Sequence, residues 1–341
     1  MKKYKLAIVG ATGLVGKTIL KVLEEKNLPI DEYVFFASYK SSGKKINFMQ
    51  KQYIVQELTD NSFNSNFDFA IFSAGGEVAK QYAPIAVSNG CIVIDNSSFF
   101  RMNNDVPLVV PEVNAEDIKL HNGIIANPNC STIQAVVSLK PLDDAYKIKR
   151  IIYSTYQAVS GAGYKGVTDF LNGLNSFKPN CEVTNKQEHS YNLVKFKYPI
   201  FNNCLPHIDV FLDNGYTKEE EKMINETRKI LKKTNLKISA TTVRVPVLNC
   251  HSEAINIEFE KDFDIEELKC VLKNSPGIIL KDDTKNEVYP TLLDANNYDN
   301  VFVGRVRRDY SVESGVNLWV VADNLRKGAA SNAVQILEEL I

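Results

Sequence analysis

One junction constrains the N-terminal third of this chain more than anything else in it. KLAIVG (5–10) is a short apolar run, followed at once by ATGLVGKTILKVLEEK (11–26). A run apolar throughout reads as a strand buried on both faces of a parallel sheet. Leu14, Val15, Ile19, Val22 and Leu23 then recur at helical spacing. Between strand and helix stand Gly10, Gly13 and Gly16. Glycines there let the backbone approach a pyrophosphate, and the helix start supplies N–H donors and a positive dipole end. The spacing is G-x-x-G-x-x-G, with Thr12 at the usual second glycine. The order strand, turn, helix therefore carries the reading more than the motif does.

The second strand, YVFFAS (33–38), runs into SYKSSGKK (38–45). NAD-binding folds place a carboxylate near this point to hold the ribose 2′-hydroxyl. Here there is none. Hydroxyls stand instead beside Lys40, Lys44 and Lys45, a set suited to a 2′-phosphate, so NADP is favoured over NAD. FDFAIFSAGG (67–76) and GCIVIDNSS (90–98) read as further buried strands. Strands alternating with helices up to residue 126 indicate a doubly wound parallel sheet.

From about residue 150 the pattern changes. IIYSTYQ (151–157), TTVRVPV (241–247), HSEAINIEFE (251–260) and the two runs within 301–323 are longer and alternate, as in an antiparallel sheet with one face covered. Segment 164–200 is polar, aromatic and irregular, and reads as an insertion. The stretch 324–341 reads as an amphipathic helix. The expected architecture is α/β: a Rossmann-type domain over 1–130, completed by 324–341, and an α+β domain over 131–323 with a mainly antiparallel sheet.

The length of 341 residues exceeds one ordinary core and fits two domains. A net charge of -1 offers no field for nucleic acid or an anionic membrane. No run of 18 apolar residues exists, and the basic start gives way to the glycine turn without a cleavage site, so a cytoplasmic protein with no membrane partner is expected. The six cysteines are scattered, as reduced thiols are. Cys204 and His207, and Cys250 beside His251, have no second close ligand pair, so no metal is expected. A Tyr-x-x-x-Lys pair, Tyr191 and Lys195, falls in the irregular segment, the wrong setting for a short-chain reductase.

Cys130, in NPNCSTIQ (127–134), stands where an apolar run gives way to a helical pattern. A helix start favours a thiolate, and Asn127 and Asn129 are candidate oxyanion donors. A small buried core thiol is an equal reading of the position. A thiolate needs a proton-handling partner, and His251 opens an apolar strand seven residues after Arg244. Seven is an odd spacing, but Pro246 and Asn249 break the register, so both can face one site. The helix from Thr217 begins with a capping box to Glu220; Glu219 and Lys222 lie beside its apolar face, as a solvated ion pair would. Arg101 sits among hydroxyl and amide residues, a natural fork for phosphate or carboxylate.

Taken in order, AIVGATGLVG, FASYKSSGK, DNSSFFRMNNDVPLVVPEVN, IANPNCSTIQ, TYQAVSGAG, YTKEEEKMINETRKIL, VRVPVLNCHSE and DNLRKGAASNAVQI resemble the aspartate-β-semialdehyde dehydrogenase family of the bacterial type. The resemblance implies NADPH-dependent, phosphate-releasing reduction of aspartyl phosphate to aspartate semialdehyde, in the pathway to lysine, diaminopimelate, threonine, methionine and isoleucine. It implies Cys130 as the nucleophile that forms an acyl-thioester, His251 as general acid/base and Gln157 as an orienting residue. Arg244 would hold the substrate carboxylate, Glu219 its ammonium, and Arg101, Lys222 and Asn129 the inorganic phosphate. Gly10, Thr12, Gly13, Leu14, Val15, Ser38, Lys40, Ser41, Ser73, Ser160, Gly161 and Asn324 would line the NADP site. The family often has arginine where this chain has Lys40, a point charge in place of a fork. The second domain would be catalytic and dimerising, giving a homodimer or tetramer. An N-acetylglutamyl-phosphate reductase shares the chemistry but would leave Glu219 without a cation, and a non-catalytic NADP-binding paralogue would have no reason to keep both Cys130 and His251.

Overall fold

The computed structural model describes residues 3–177 and 192–341; Cys181, His189 and Tyr191 lie outside the described residues. The first part of the chain runs β1 (Tyr4–Val9), α1 (Leu14–Lys26), β2 (Ile30–Ala37), a hairpin of β3 (Lys45–Phe48) and β4 (Lys51–Ile54), β5 (Gln56–Glu57), β6 (Phe69–Phe72), α2 (Gly76–Ser88), β7 (Ile92–Asp95), α3 (Pro111–Asn114) and β8 (Ile124–Ala126). Six of these strands form a parallel sheet in the order β5-β2-β1-β6-β7-β8. Successive residues of β1 face opposite sides, as the pleat requires. Leu6 and Ile8 join a core with Ile19, Val22 and Leu23 of α1, while Ala7 and Val9 join the core under α2. That is the expected doubly wound arrangement.

The chain then enters α4 (Cys130–Tyr146), β9 (Ile148–Gln157), α5 (Gly163–Ser176), α6 (Lys218–Ile230), β10 (Lys237–Arg244), β11 (His251–Phe259), α7 (Ile265–Lys273), β12 (Ile278–Leu280), α8 (Leu292–Ala295), β13 (Val301–Asp309), β14 (Gly315–Ala322) and α9 (Ser331–Glu338). The second sheet has the order β10-β9-β11-β14-β13-β12 and is antiparallel at its three inner pairs, while both edge pairs are parallel. α4 lies at the junction and is buried along nearly its whole length. Its Ile133, Val136 and Val137 share one continuous core with Ala7 and Val9 of the first sheet and Ile255 and Val320 of the second.

Three expectations need correction. The segment taken as an irregular insertion begins with a regular helix, α5. Its glycines and polar residues hid a strongly one-sided apolar pattern. The strand expected to reach residue 247 ends at Arg244, ahead of Pro246, which cannot donate to a sheet ladder. The C-terminal stretch is a wide helical turn over Arg326–Ala330 leading into α9, rather than one helix to residue 341. α9 packs on α1 and on β7, so the chain returns to its first sheet.

Candidate active site

The glycine turn is built as tightly as its sequence implies. Gly10 has φ +90, and a Cβ there would come within 2.5 Å of the Ser73 carbonyl oxygen. α1 follows Gly13, which provides no side-chain cap, and has no acid in its first turn, which leaves its N–H groups for an anion. A cavity of about 290 Å³ opens from this turn, lined by Gly13, Leu14, Val15, Ser73, Ser160, Gly161 and Asn324 on one side and Arg101, Asn129 and Cys130 on the other. Ser160 and Asn324 hydrogen-bond to each other at its edge, 3.0 Å from Asn324 Nδ2 to Ser160 Oγ. Ser38, Lys40 and Ser41 stand outside this cavity, where the chain leaves β2. Thr12 instead lines a separate basic hollow with Lys17, Lys44 and Lys45.

Cys130 is the first residue of α4, and His251 is the first of β11. Cys130 Sγ lies 3.3 Å from His251 Nε2. The backbone N–H of Ala158 donates to His251 Nδ1 over 3.0 Å. Burial, with Arg244 nearby, pushes His251 down to about 3. Cys130 is open only toward the cavity; burial and Glu219 push its thiol up to about 12, against the pull of Arg244, Arg101 and the Ser131 N–H. Burial thus works against both charged forms, the thiolate and the imidazolium alike. A thiolate set up by the helix start alone does not prevail against burial.

Glu219 overturns the expectation of a solvated ion pair. It is 4 % exposed. Its Oε1 accepts from Asn129 Nδ2 at 2.9 Å and from Gln157 Nε2 at 3.1 Å, and its Oε2 from Lys222 at 3.1 Å. Burial raises its carboxyl, but Lys222, Asn129, Gln157 and Arg244 together hold it below the usual value. Lys222 also donates to Asp209 over 2.8 Å. Arg244 Nη1 donates to the Ala158 carbonyl at 2.6 Å. The loop between β10 and β11 does bring Arg244 and His251 to one place: a Cβ on Gly161 would meet Arg244 Nη1 at 2.9 Å and the His251 ring at 3.3 Å.

Asn127 does not serve as an oxyanion donor. It is fully buried, and its Nδ2 donates to Asn96 Oδ1 at 2.6 Å and to the Ala329 carbonyl, while its Oδ1 accepts from Asn332. Asn129, by contrast, lines the cavity beside Arg101 and Cys130 while its Nδ2 donates to Glu219.

Two features escaped the sequence reading. Glu226 is buried on the same face of α6 as Glu219, seven residues on, which was the available signal. Its Oε1 pairs with Arg101 at 3.0 Å and its Oε2 accepts the Asn129 N–H at 2.6 Å. The second is the floor of the site. A Cβ on Gly328 would fall 2.8 Å from Cys130 Cβ. That turn is pinned by Lys327, fully buried, which donates to Glu112 at 2.6 and 2.8 Å, to Asn332 and to Gln335. Among the described residues no cluster of metal ligands occurs, and no helix is long and apolar enough to cross a membrane.

The chain matches two family descriptions: "Semialdehyde dehydrogenase, NAD binding domain" over residues 5–121 and "Semialdehyde dehydrogenase, dimerisation domain" over residues 139–327. It is 54% identical to an aspartate-semialdehyde dehydrogenase of Aquifex aeolicus over 99% of this chain and 98% of the relative. A Vibrio cholerae structure described as aspartate semialdehyde dehydrogenase II complexed with ASA superposes with a TM-score of 0.92 at 46% identity, covering 100% of this chain and 98% of that one. A Candida albicans aspartate semialdehyde dehydrogenase with NADP superposes with a TM-score of 0.76 at 25% identity, covering 99% and 98%. A parallel nucleotide-binding sheet, a mainly antiparallel second sheet and identity sustained along the full length leave one conclusion: this chain is a member of the aspartate-semialdehyde dehydrogenase family.

Proposed function

We propose that this protein reduces L-4-aspartyl phosphate to L-aspartate 4-semialdehyde with NADPH, releasing inorganic phosphate, and that it does so through a thioester on Cys130. The observation that carries the reading is the 3.3 Å approach of Cys130 Sγ to His251 Nε2 at the wall of the cavity that opens from the glycine turn. The uncapped start of α1 and the close glycine turn fit a pyrophosphate, and Ser73, Ser160, Gly161 and Asn324 continue that surface to the sulfur. Bound there, NADPH supplies a hydride to the acyl carbon.

The Cys130 thiol attacks the acyl carbon; the C–S bond forms, the bond to the phosphate oxygen breaks, and the thiol proton leaves on the departing phosphate. Arg101 and Lys222, with Asn129, hold the departing phosphate. Arg244 takes the substrate carboxylate and Glu219 its ammonium, with Gln157 fixing Glu219 in place. After reduction the tetrahedral oxyanion re-forms a carbonyl and expels the thiolate. His251 faces sulfur through Nε2 and donates that N–H to the negative charge that develops on the oxyanion and on the expelled sulfur, steadying both until solvent returns a proton to Cys130.

Lys40 in the turn after β2, and Lys44 and Lys45 beyond it, support NADP over NAD. Two solved relatives point the same way for substrate and cofactor, one complexed with ASA and the other with NADP. The domain limits follow this division, 1–130 with 324–341 returning, and 131–323. An apolar hollow on the outer face of the second sheet, lined by Tyr156, Val247, Ser252, Ala254, Tyr289 and Trp319, is the surface for a homodimer, with a tetramer as the larger assembly. We place the enzyme in the cytoplasm, in the route to lysine, diaminopimelate, threonine, methionine and isoleucine.

The test follows NADP reduction by aspartate semialdehyde with and without phosphate, for wild type and Cys130→Ala. Activity that needs no phosphate, or that survives in C130A, rejects the mechanism.

A further inference from the structure

Directly beneath the catalytic pair lies a second pair that the reaction above does not use. On α4, Gln134 follows Cys130 by four residues and shares its face. On β11, Glu253 follows His251 by two and shares its face. As Cys130 meets His251, so Gln134 meets Glu253 one layer deeper. Both are sealed, Glu253 at 0 % and Gln134 at 1 % exposure. Neither oxygen of Glu253 and neither polar atom of the Gln134 amide makes a hydrogen bond of normal length. Burial drives the Glu253 carboxyl far up; the Gln134 amide is near enough to oppose this, and Glu219 adds to it. Across the sheet Glu253 is paired in register with Thr155, whose hydroxyl donates to Gln157 Oε1 at 3.0 Å.

An acid and an amide buried this way burden the fold, and apolar side chains of similar size would fill the layer more favourably. Such a burden beneath a reactive centre points to use rather than packing. We propose that the Gln134–Glu253 layer is a positioning element for the reaction: it sets how the start of α4 stands against the start of β11, and so the separation of Cys130 Sγ from His251 Nε2. The inference rests on the reading of those two residues as the reacting pair. Because a carboxamide offers the same donor and acceptor as a neutral acid, an amide at position 253 serves as well.

The experiment measures kcat and KM for phosphate-dependent NADP reduction, the rate of Cys130 alkylation and the thermal midpoint for wild type, Glu253→Gln, Glu253→Leu, Gln134→Leu and Cys130→Ala. E253Q is expected to keep kcat within about threefold. E253L and Q134L are expected to hold or raise the thermal midpoint, leave KM within about twofold and lose roughly 10- to 100-fold in kcat. Cys130 alkylation should slow in step with kcat. Wild-type kcat in E253L and Q134L, or a loss in E253Q as large as in E253L, overturns the proposal. Should E253L fail to fold, E253Q and Q134L decide by the same criteria. Activity in C130A instead removes the catalytic reading itself, an outcome distinct from inactive C130A beside fully active E253L.

Discussion

Ala158 donates its backbone N–H to Nδ1 of His251 over 3.0 Å. An imidazolium would set a second N–H against that donor, so the contact favours the neutral ring with its proton on Nε2, facing Cys130. This ring therefore helps a thiolate or an oxyanion by donating to it, and is a poor store for the thiol proton.

Alkylation of the free protein should follow. With burial pushing Cys130 up to about 12, the rate of inactivation by iodoacetamide is expected to climb steadily past pH 9, and to vanish in C130A. A plateau below pH 8 would reveal a preformed thiolate–imidazolium pair and contradict this account.

His251 also makes stability depend on pH. Its folded value, about 3, lies below the ordinary 6.5. The unfolded chain binds a proton that the native ring refuses, so the contribution is complete above pH 6.5 and is lost as pH falls toward 3. Its ceiling is about 5 kcal/mol. Urea midpoints at pH 7 and pH 4 should differ less for His251→Asn than for wild type. Equal differences in the two proteins would assign the acid sensitivity to other groups.

Arg244 and Glu219 are expected to govern substrate binding. Arg244→Lys keeps the charge but loses the fork, and Glu219→Gln loses the charge while keeping its shape. Each should cost about 1.5–3 kcal/mol, roughly 10- to 150-fold in kcat/KM for aspartate semialdehyde. KM for the nicotinamide cofactor serves as the control; a change confined to it would place these residues on the wrong ligand.

Lys40 and Lys44 lie on the 2′-phosphate side of the proposed cofactor site, with Lys44 Nζ 3.3 Å from Ser41 Oγ. Replacing both with alanine should lower the NADP-to-NAD ratio of kcat/KM by about tenfold, mainly through KM for NADP. An unchanged ratio would move the discriminating contact elsewhere.

The fold was legible where local rules decide it. The glycine turn, the capping box at Thr217 and the helix starting at Cys130 all follow from spacing and residue type over a few positions. Glu219 was harder. A first-turn acid beside a lysine is ordinary on a solvated helix, and only the packing of α6 against α4 and β10 buries it. Asn127 looked like a donor aimed at Cys130 because its real partners, Asn96, Ala329 and Asn332, lie as much as 205 residues away. Glu226 and Gly328 were missed for the same reason: each matters through a contact that no window of sequence contains.

The turn at Gly328 gives the reactive thiol a timetable. During synthesis Cys130 leaves the ribosome nearly two hundred residues before its floor does, and the Lys327–Glu112 pair that seats the floor cannot form until then. A chain that stops after β14 holds the sulfur and the histidine but lacks both the turn that lies against Cys130 and the α9 side chains that complete the first core.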